Sequence, residues 1–130
     1  MFSHVHVGSN DPARSKRFYD AILAVLGGGE GVKDPERDRY FYNHDGAMLI
    51  VGRPLDDGEA TVSNGATIGF RVDSPEQGDE WVRAGVENGG TLIEDAPGIR
   101  DKGERGQIYL AYLRDPDGNK LCALKFMDRG

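Results

Sequence analysis

The sequence predicts an α+β protein made of two βαβββ modules, on three observations: a self-similarity at a spacing of 63 residues, two proline-led helix starts at matching points, and short alternating strands closed by glycine turns. Sliding the chain by 63 residues lays Val5 and Val7 on Ile68 and Phe70, Asp11-Pro12 on Ser74-Pro75, Phe18 on Trp81 and Gly27 on Gly90. The modules cover about residues 1–53 and 66–127 of one domain, joined by a linker over about 54–65 that is rich in Asp, Gly and Ser.

Each module opens with an alternating strand. Val5 and Val7 face the helix while His4, His6 and Gly8 face the other side; Ile68, Phe70 and Val72 alternate in the same way with Thr67, Gly69 and Arg71. Asp11 and Ser74 carry side-chain oxygens suited to accept from the free N–H groups of a first helical turn, and the proline after each suits the first helical position. Gln77, three residues beyond Ser74, is placed to complete a capping box. The first helix, about 12–26, buries Phe18, Ile22 and Leu26 with Tyr19 and Leu23 beside them. The second, about 75–88, buries Trp81, Val82 and Val86. Gly27-Gly28-Gly29 ends the one and Gly89-Gly90 the other.

Three short strands follow each helix, over about 32–33, 39–43 and 47–53, then 91–95, 107–114 and 120–127. Asp45-Gly46 and Asp115-Pro116-Asp117-Gly118 turn the last two of each set, glycine supplying a positive φ. Between these turns the spacing widens to 72, so the second copy holds nine extra residues, and Gly98 to Gly106 reads as a mobile, charged loop.

Nineteen glycines in 130 residues favour sheet and tight turns over a helical bundle. The formal net charge of −6, with no basic run, argues against nucleic acid as a partner and suits a cationic ligand. Cys122 stands alone, which excludes an internal disulfide and makes the cytoplasm the expected compartment. The opening Met1-Phe2-Ser3-His4-Val5-His6 lacks the charged region and apolar core of a secretion signal. No segment approaches the roughly 20 apolar residues that span a bilayer, so no membrane partner is expected.

The spacing His4 to Asp11, then Ser15-x-x-Phe18-Tyr19-x-x-x-Leu23, and later Arg114-Asp115-Pro116-Asp117-Gly118-Asn119-Lys120-Leu121, resembles the vicinal oxygen chelate superfamily. That group includes glyoxalase I, extradiol dioxygenases, fosfomycin-resistance thiol transferases and bleomycin-resistance proteins. The resemblance implies a curved mixed sheet around a cavity, a homodimer and a small-molecule ligand. Metal enzymes of the superfamily place ligands on the cavity face of the first and last strand of each module, positions that fall here on His4, Ile50, Thr67 and Cys122. The family pattern puts His or Gln where Thr67 stands and usually Glu where Cys122 stands. His4 and Cys122 are therefore what remains of a metal site, too few to imply a cofactor, although Zn, Ni, Mn or Fe stays open.

The candidate cavity residues are His4, His6, Ile50, Thr67, Arg71, Tyr109 and Cys122, with Arg53, Arg100 and Arg105 as further ligand contacts. Arginine suits carboxylate or phosphate because its planar fork donates two parallel hydrogen bonds. Tyr112 and Trp81 are assigned to packing, and His44 to an exposed hairpin. The leading expectation is a metal-independent small-molecule binder similar to the bleomycin-resistance branch. The alternatives are a divergent metal-dependent lyase, dioxygenase or thiol transferase, and a non-catalytic structural or regulatory subunit.

Overall fold

In the computed structural model, which describes residues 1–127, the first module runs β1 (His4–Gly8), α1 (Pro12–Val25), β2 (Val32–Lys33), β3 (Arg39–His44) and β4 (Ala47–Gly52). The second runs β5 (Ile68–Arg71), α2 (Pro75–Glu87), β6 (Thr91–Leu92), β7 (Gly98–Asp101), a 3-10 turn at Gly103–Arg105, β8 (Gln107–Arg114) and β9 (Lys120–Phe126).

The helices begin at the expected caps. An Asp11 carboxylate oxygen accepts from the Arg14 N–H at 3.2 Å, and Ser74 Oγ accepts from the Gln77 N–H at 3.0 Å. Gln77 departs from a capping box by one residue, because its Oε1 accepts from the N–H of Asp73, before the cap, at 2.6 Å. Its Nε2 donates to the carbonyl of Val25 at 3.0 Å, so the side chain that closes the start of α2 also ties it to the end of α1. The buried stripe of α2 differs from the sequence reading: Val86 is 48 % exposed, and Gly85 is the residue turned inward. A Cβ on Gly85 would stand 2.4 Å from Leu113 and 3.2 Å from Phe18, so the missing side chain lets the two helices approach.

The strands form two sheets, β1-β4-β3-β2 and β5-β9-β8-β6, with β7 added to β8. β1 runs parallel to β4 and β5 parallel to β9, and the remaining ladders are antiparallel. Val5 stands opposite Leu49 and Ile68 opposite Leu121, which reproduces both sequence spacings, 63 between first strands and 72 between last strands. Among the described residues no ladder joins the sheets, so β1 and β5 are edge strands. The nine-residue insertion is not a free loop. Thr91 and Leu92 pair only with Arg114 and Leu113, which leaves the rest of that edge of β8 to β7, from Gly98 opposite Leu110 to Asp101 opposite Gln107.

Each sheet turns one face to a shared core. Phe18, Tyr19 and Ile22 of α1, Trp81 of α2, and Val51, Leu113 and Leu121 of the sheets are fully buried there. Burying each such side chain is worth about 1.5–3 kcal/mol. The modules are also tied by polar contacts. Tyr19 OH donates to Asp115 at 2.5 Å, Ser15 Oγ donates to Asp117 at 2.8 Å, and Asn119 Nδ2 donates to the carbonyl of Gly8 at 3.0 Å. Asp117 further accepts from the Asn10 N–H and from Arg14, each at 2.9 Å.

Candidate functional site

Strand pleating divides every strand residue between the core and the opposite, open face of its sheet. In the first module the open face carries His4, His6 and Gly8 of β1, Met48, Ile50 and Gly52 of β4, and Arg39, Phe41 and Asn43 of β3, arranged in three cross-strand rows. His6, Ile50 and Phe41 form the middle row. His4 shares its row with Met48 and Asn43, and its Nδ1 lies 2.8 Å from Ser3 Oγ. Burial and then Arg39, Arg37 and His4 hold the His6 imidazole below its usual pKa, which favours the neutral ring. Arg39 lies over the Phe41 ring at 5.0 Å and pairs with Asp34 at 2.7 Å.

In the second module the rows are Gly69, Cys122 and Tyr112, then Arg71, Leu124 and Leu110. Arg100, Ile108 and Phe126 form the third, and Lys120, Arg114 and Thr91 the fourth. Ile108, Leu110 and Cys122 are buried and pack with Tyr112 and Leu124 as an apolar cluster separate from the main core. Burial pushes the Cys122 thiol up, and the nearby Lys120 only partly offsets it, so sulfur is held as thiol rather than as the thiolate that binds metal or attacks. Thr67 is exposed and lies one residue ahead of β5, outside the ladder.

Tyr109 is on the other face. It is fully buried against α2 beneath Gly78, where its hydroxyl donates to Asp79 at 2.8 Å. Its place among the cavity residues is therefore corrected, and the open-face tyrosine of β8 is Tyr112, assigned by sequence to packing. Every residue from Ile108 to Leu113 is apolar or aromatic, so alternation alone leaves the orientation of this strand undetermined. Arg53 donates to the carbonyl of Asn10 at 3.2 Å, and Arg105 sits in the exposed 3-10 turn. His44 is half-buried at the end of β3, 3.4 Å from Asp45.

A divalent ion does not fit these donors. His4 and Cys122 stand on different sheets, Ile50 and Thr67 occupy the other two positions, and among the described residues no group of three or more His, Cys, Asp or Glu could hold a metal. Catalytic zinc sites use three protein ligands.

Both sequence and structure have relatives. A family model described as Glyoxalase/Bleomycin resistance protein/Dioxygenase superfamily matches residues 1–123. The chain belongs to this superfamily. A crystal structure of a glyoxalase/bleomycin resistance protein from Albidiferax ferrireducens T118 is 53 % identical, with a TM-score of 0.89 over 95 % of this chain and 98 % of that one. A putative glyoxalase from Bacillus halodurans shares the fold at 22 % identity, with a TM-score of 0.73 over 95 % and 94 % of the two chains. So does a glyoxalase/bleomycin resistance protein/dioxygenase family enzyme from Burkholderia phytofirmans PsJN, at 19 % identity and a TM-score of 0.71 over 96 % and 98 %. A comparison with curated proteins returns no match. The first module is βαβββ, and the second is the same with β7 added. No helix among the described residues is long and apolar enough to cross a membrane.

Proposed function

We propose that the protein is a metal-independent small-molecule binding protein of the cytoplasm that uses the open faces of its sheets as a homodimer. The observation that carries this reading is the second apolar cluster: Ile108, Leu110 and Cys122 gather on a face the core does not need, where a purely structural sheet would turn polar residues outward. The ligand positions support the metal-free form, since Ile50 replaces a donor with a hydrocarbon. The dimer is supported by the edges. β1 and β5 lack outer partners, and Phe2, just before β1, is 74 % exposed. Soluble proteins cover or blunt such edges, and a second copy offers the missing surface.

Titration of the purified protein with Zn²⁺, Ni²⁺, Mn²⁺ and Fe²⁺ is expected to give no stoichiometric tight complex, and light scattering is expected to give twice the chain mass. Tight metal binding that His4→Ala abolishes overturns the metal-free reading. A monomer at micromolar concentration overturns the dimer.

A further inference from the structure

We propose that the open face of the second module takes a small apolar or aromatic carboxylate, its body laid on Leu124 and Phe126 and its carboxylate on Arg71. The inference rests on the small-molecule reading above and names the ligand class. The chain carries a formal charge of −6, yet no strand position on the open faces is acidic. Among the described residues, the ionisable strand residues on those faces, thiol and phenol aside, are His4, His6, Arg39, Arg71, Arg100, Arg114 and Lys120, with no Asp or Glu. Asp34 and Glu94 reach two of these cations from neighbouring loops, and the rest leave a local excess of positive charge that favours an anionic ligand.

Local pairing selects the arginine. Arg39 is neutralised by Asp34, and Lys120 by Glu94 at 2.7 Å. Arg114 donates to the carbonyl of Gly118, and Arg100 to the carbonyls of Gly98 and Ala96. Arg71 is exposed and has no carboxylate partner among the described residues. It stands opposite Leu124, so its backbone lies about 5 Å, one strand spacing, from the β9 strip that carries Leu124 and Phe126. A recess of about 440 Å³ runs along the β5 edge, lined on the open face by Gly69, Arg71, Leu124 and Phe126 and on the other side of the pleat by Phe70 and Val72. Arg71 and Lys125 outnumber Asp73 around it, and of the two cations Arg71 stands on the open face. A fork beside an apolar strip fits a molecule with a carboxylate at one end and a flat hydrocarbon at the other.

Three probes of one shape test this: 2-naphthoate, naphthalene-2-carboxamide and 2-naphthylmethylammonium, each titrated into the isotope-labelled full chain at constant ionic strength while backbone amide shifts are followed. The naphthoate is expected to shift Gly69, Arg71, Leu124 and Phe126, and to bind at least about fivefold more tightly than the other two, the scale of one charge-assisted pair on a half-exposed face. Arg71→Gln is expected to remove that preference, and Arg83→Gln, on the exposed side of α2, to leave it. Equal binding of all three probes to these amides overturns the carboxylate inference and leaves the small-molecule reading standing. Failure of all three to shift any open-face amide at millimolar concentration overturns both. Should Arg71→Gln disturb the fold, the probe series on the unmodified protein decides.

Discussion

The hairpin between β3 and β4 turns through two residues, Asp45 and Gly46, whereas the one between β8 and β9 uses five, Asp115 to Asn119, and among the described residues only the longer one hydrogen-bonds to the other module. Asp117 takes hydrogen bonds from Asn10, Arg14 and Ser15 around the start of α1, and Asp115 accepts from the fully buried Tyr19. At the corresponding place near the start of α2, the short hairpin leaves a cleft of about 390 Å³ lined by Leu23, Leu49, Ile68, Phe70, Asp45 and Gln77. The two halves of a duplicated fold have thus divided their work: one hairpin fastens the modules together, and the other leaves their seam open.

The largest expected effect breaks this asymmetry at its anchor. Asp115 is 4 % exposed and accepts from Tyr19 OH, from the N–H groups of Asp117 and Asn119, and from Asn119 Nδ2. Asp115→Ala strands a buried phenol and unties the loop, at a cost of about 3 kcal/mol or more. That corresponds to a fall in Tm on the order of 10 °C. Asp45→Asn, in an exposed turn at φ 51°, is expected to change stability by less than about 0.5 kcal/mol. Calorimetry on both variants checks the contrast, and equal losses would show that the longer hairpin is no more than a turn.

A smaller effect lies where the helices cross. Ile22 and Gly85 are 63 residues apart, the repeat spacing, and Ile22 Cγ2 would lie 3.4 Å from a Cβ on Gly85. One copy therefore supplies a side chain and the other the space that receives it. Gly85→Ala drives a methyl into Leu113 and Phe18. Overpacking of this kind costs about 1–3 kcal/mol, offset by up to about 1 kcal/mol of helix propensity. Val86→Ala, one residue away on the exposed side, is expected to stay within about 0.5 kcal/mol. Chemical denaturation of the two variants separates them, and similar midpoints would mean the crossing is loosely packed.

Most of the architecture is legible in the sequence because duplication writes it twice. Each cap, each glycine stop and each alternating first strand is corroborated by a partner 63 residues away, and the strand register of Leu49 and Leu121 follows from the 72-residue spacing. What escaped has physical causes. β7 has no counterpart in the first module, and its Gly-Ile-Arg-Asp segment forms a strand only because β8 has an unfilled edge. Gly85 carries no hydrophobic signal, since its role is to be small. The site was less legible than the fold: β8 is apolar on both faces, so alternation could not tell that Tyr109 belongs to the main core and that Tyr112 packs on the open face.

The weakest effect compares His6 with Gly69, its equivalent in the second module, where nothing titrates. Burial, followed by Arg39, Arg37 and His4, holds His6 below its usual pKa. The folded state therefore keeps this ring neutral over a range in which the unfolded chain already takes up a proton. By linkage the unfolded state binds more protons there, so stability is undiminished above the unfolded value near 6.5 and is lost as pH falls from there through the lowered folded value. His6→Gln removes that contribution. Thermal melts from pH 8 to pH 5 should show the variant and the unmodified protein running parallel above pH 7, with the unmodified protein losing stability faster below it. Curves that stay parallel throughout would mean that the basic crowd on the first module's open face is too well solvated to act on His6. The positive potential proposed for the open faces would then have to come from the second module alone.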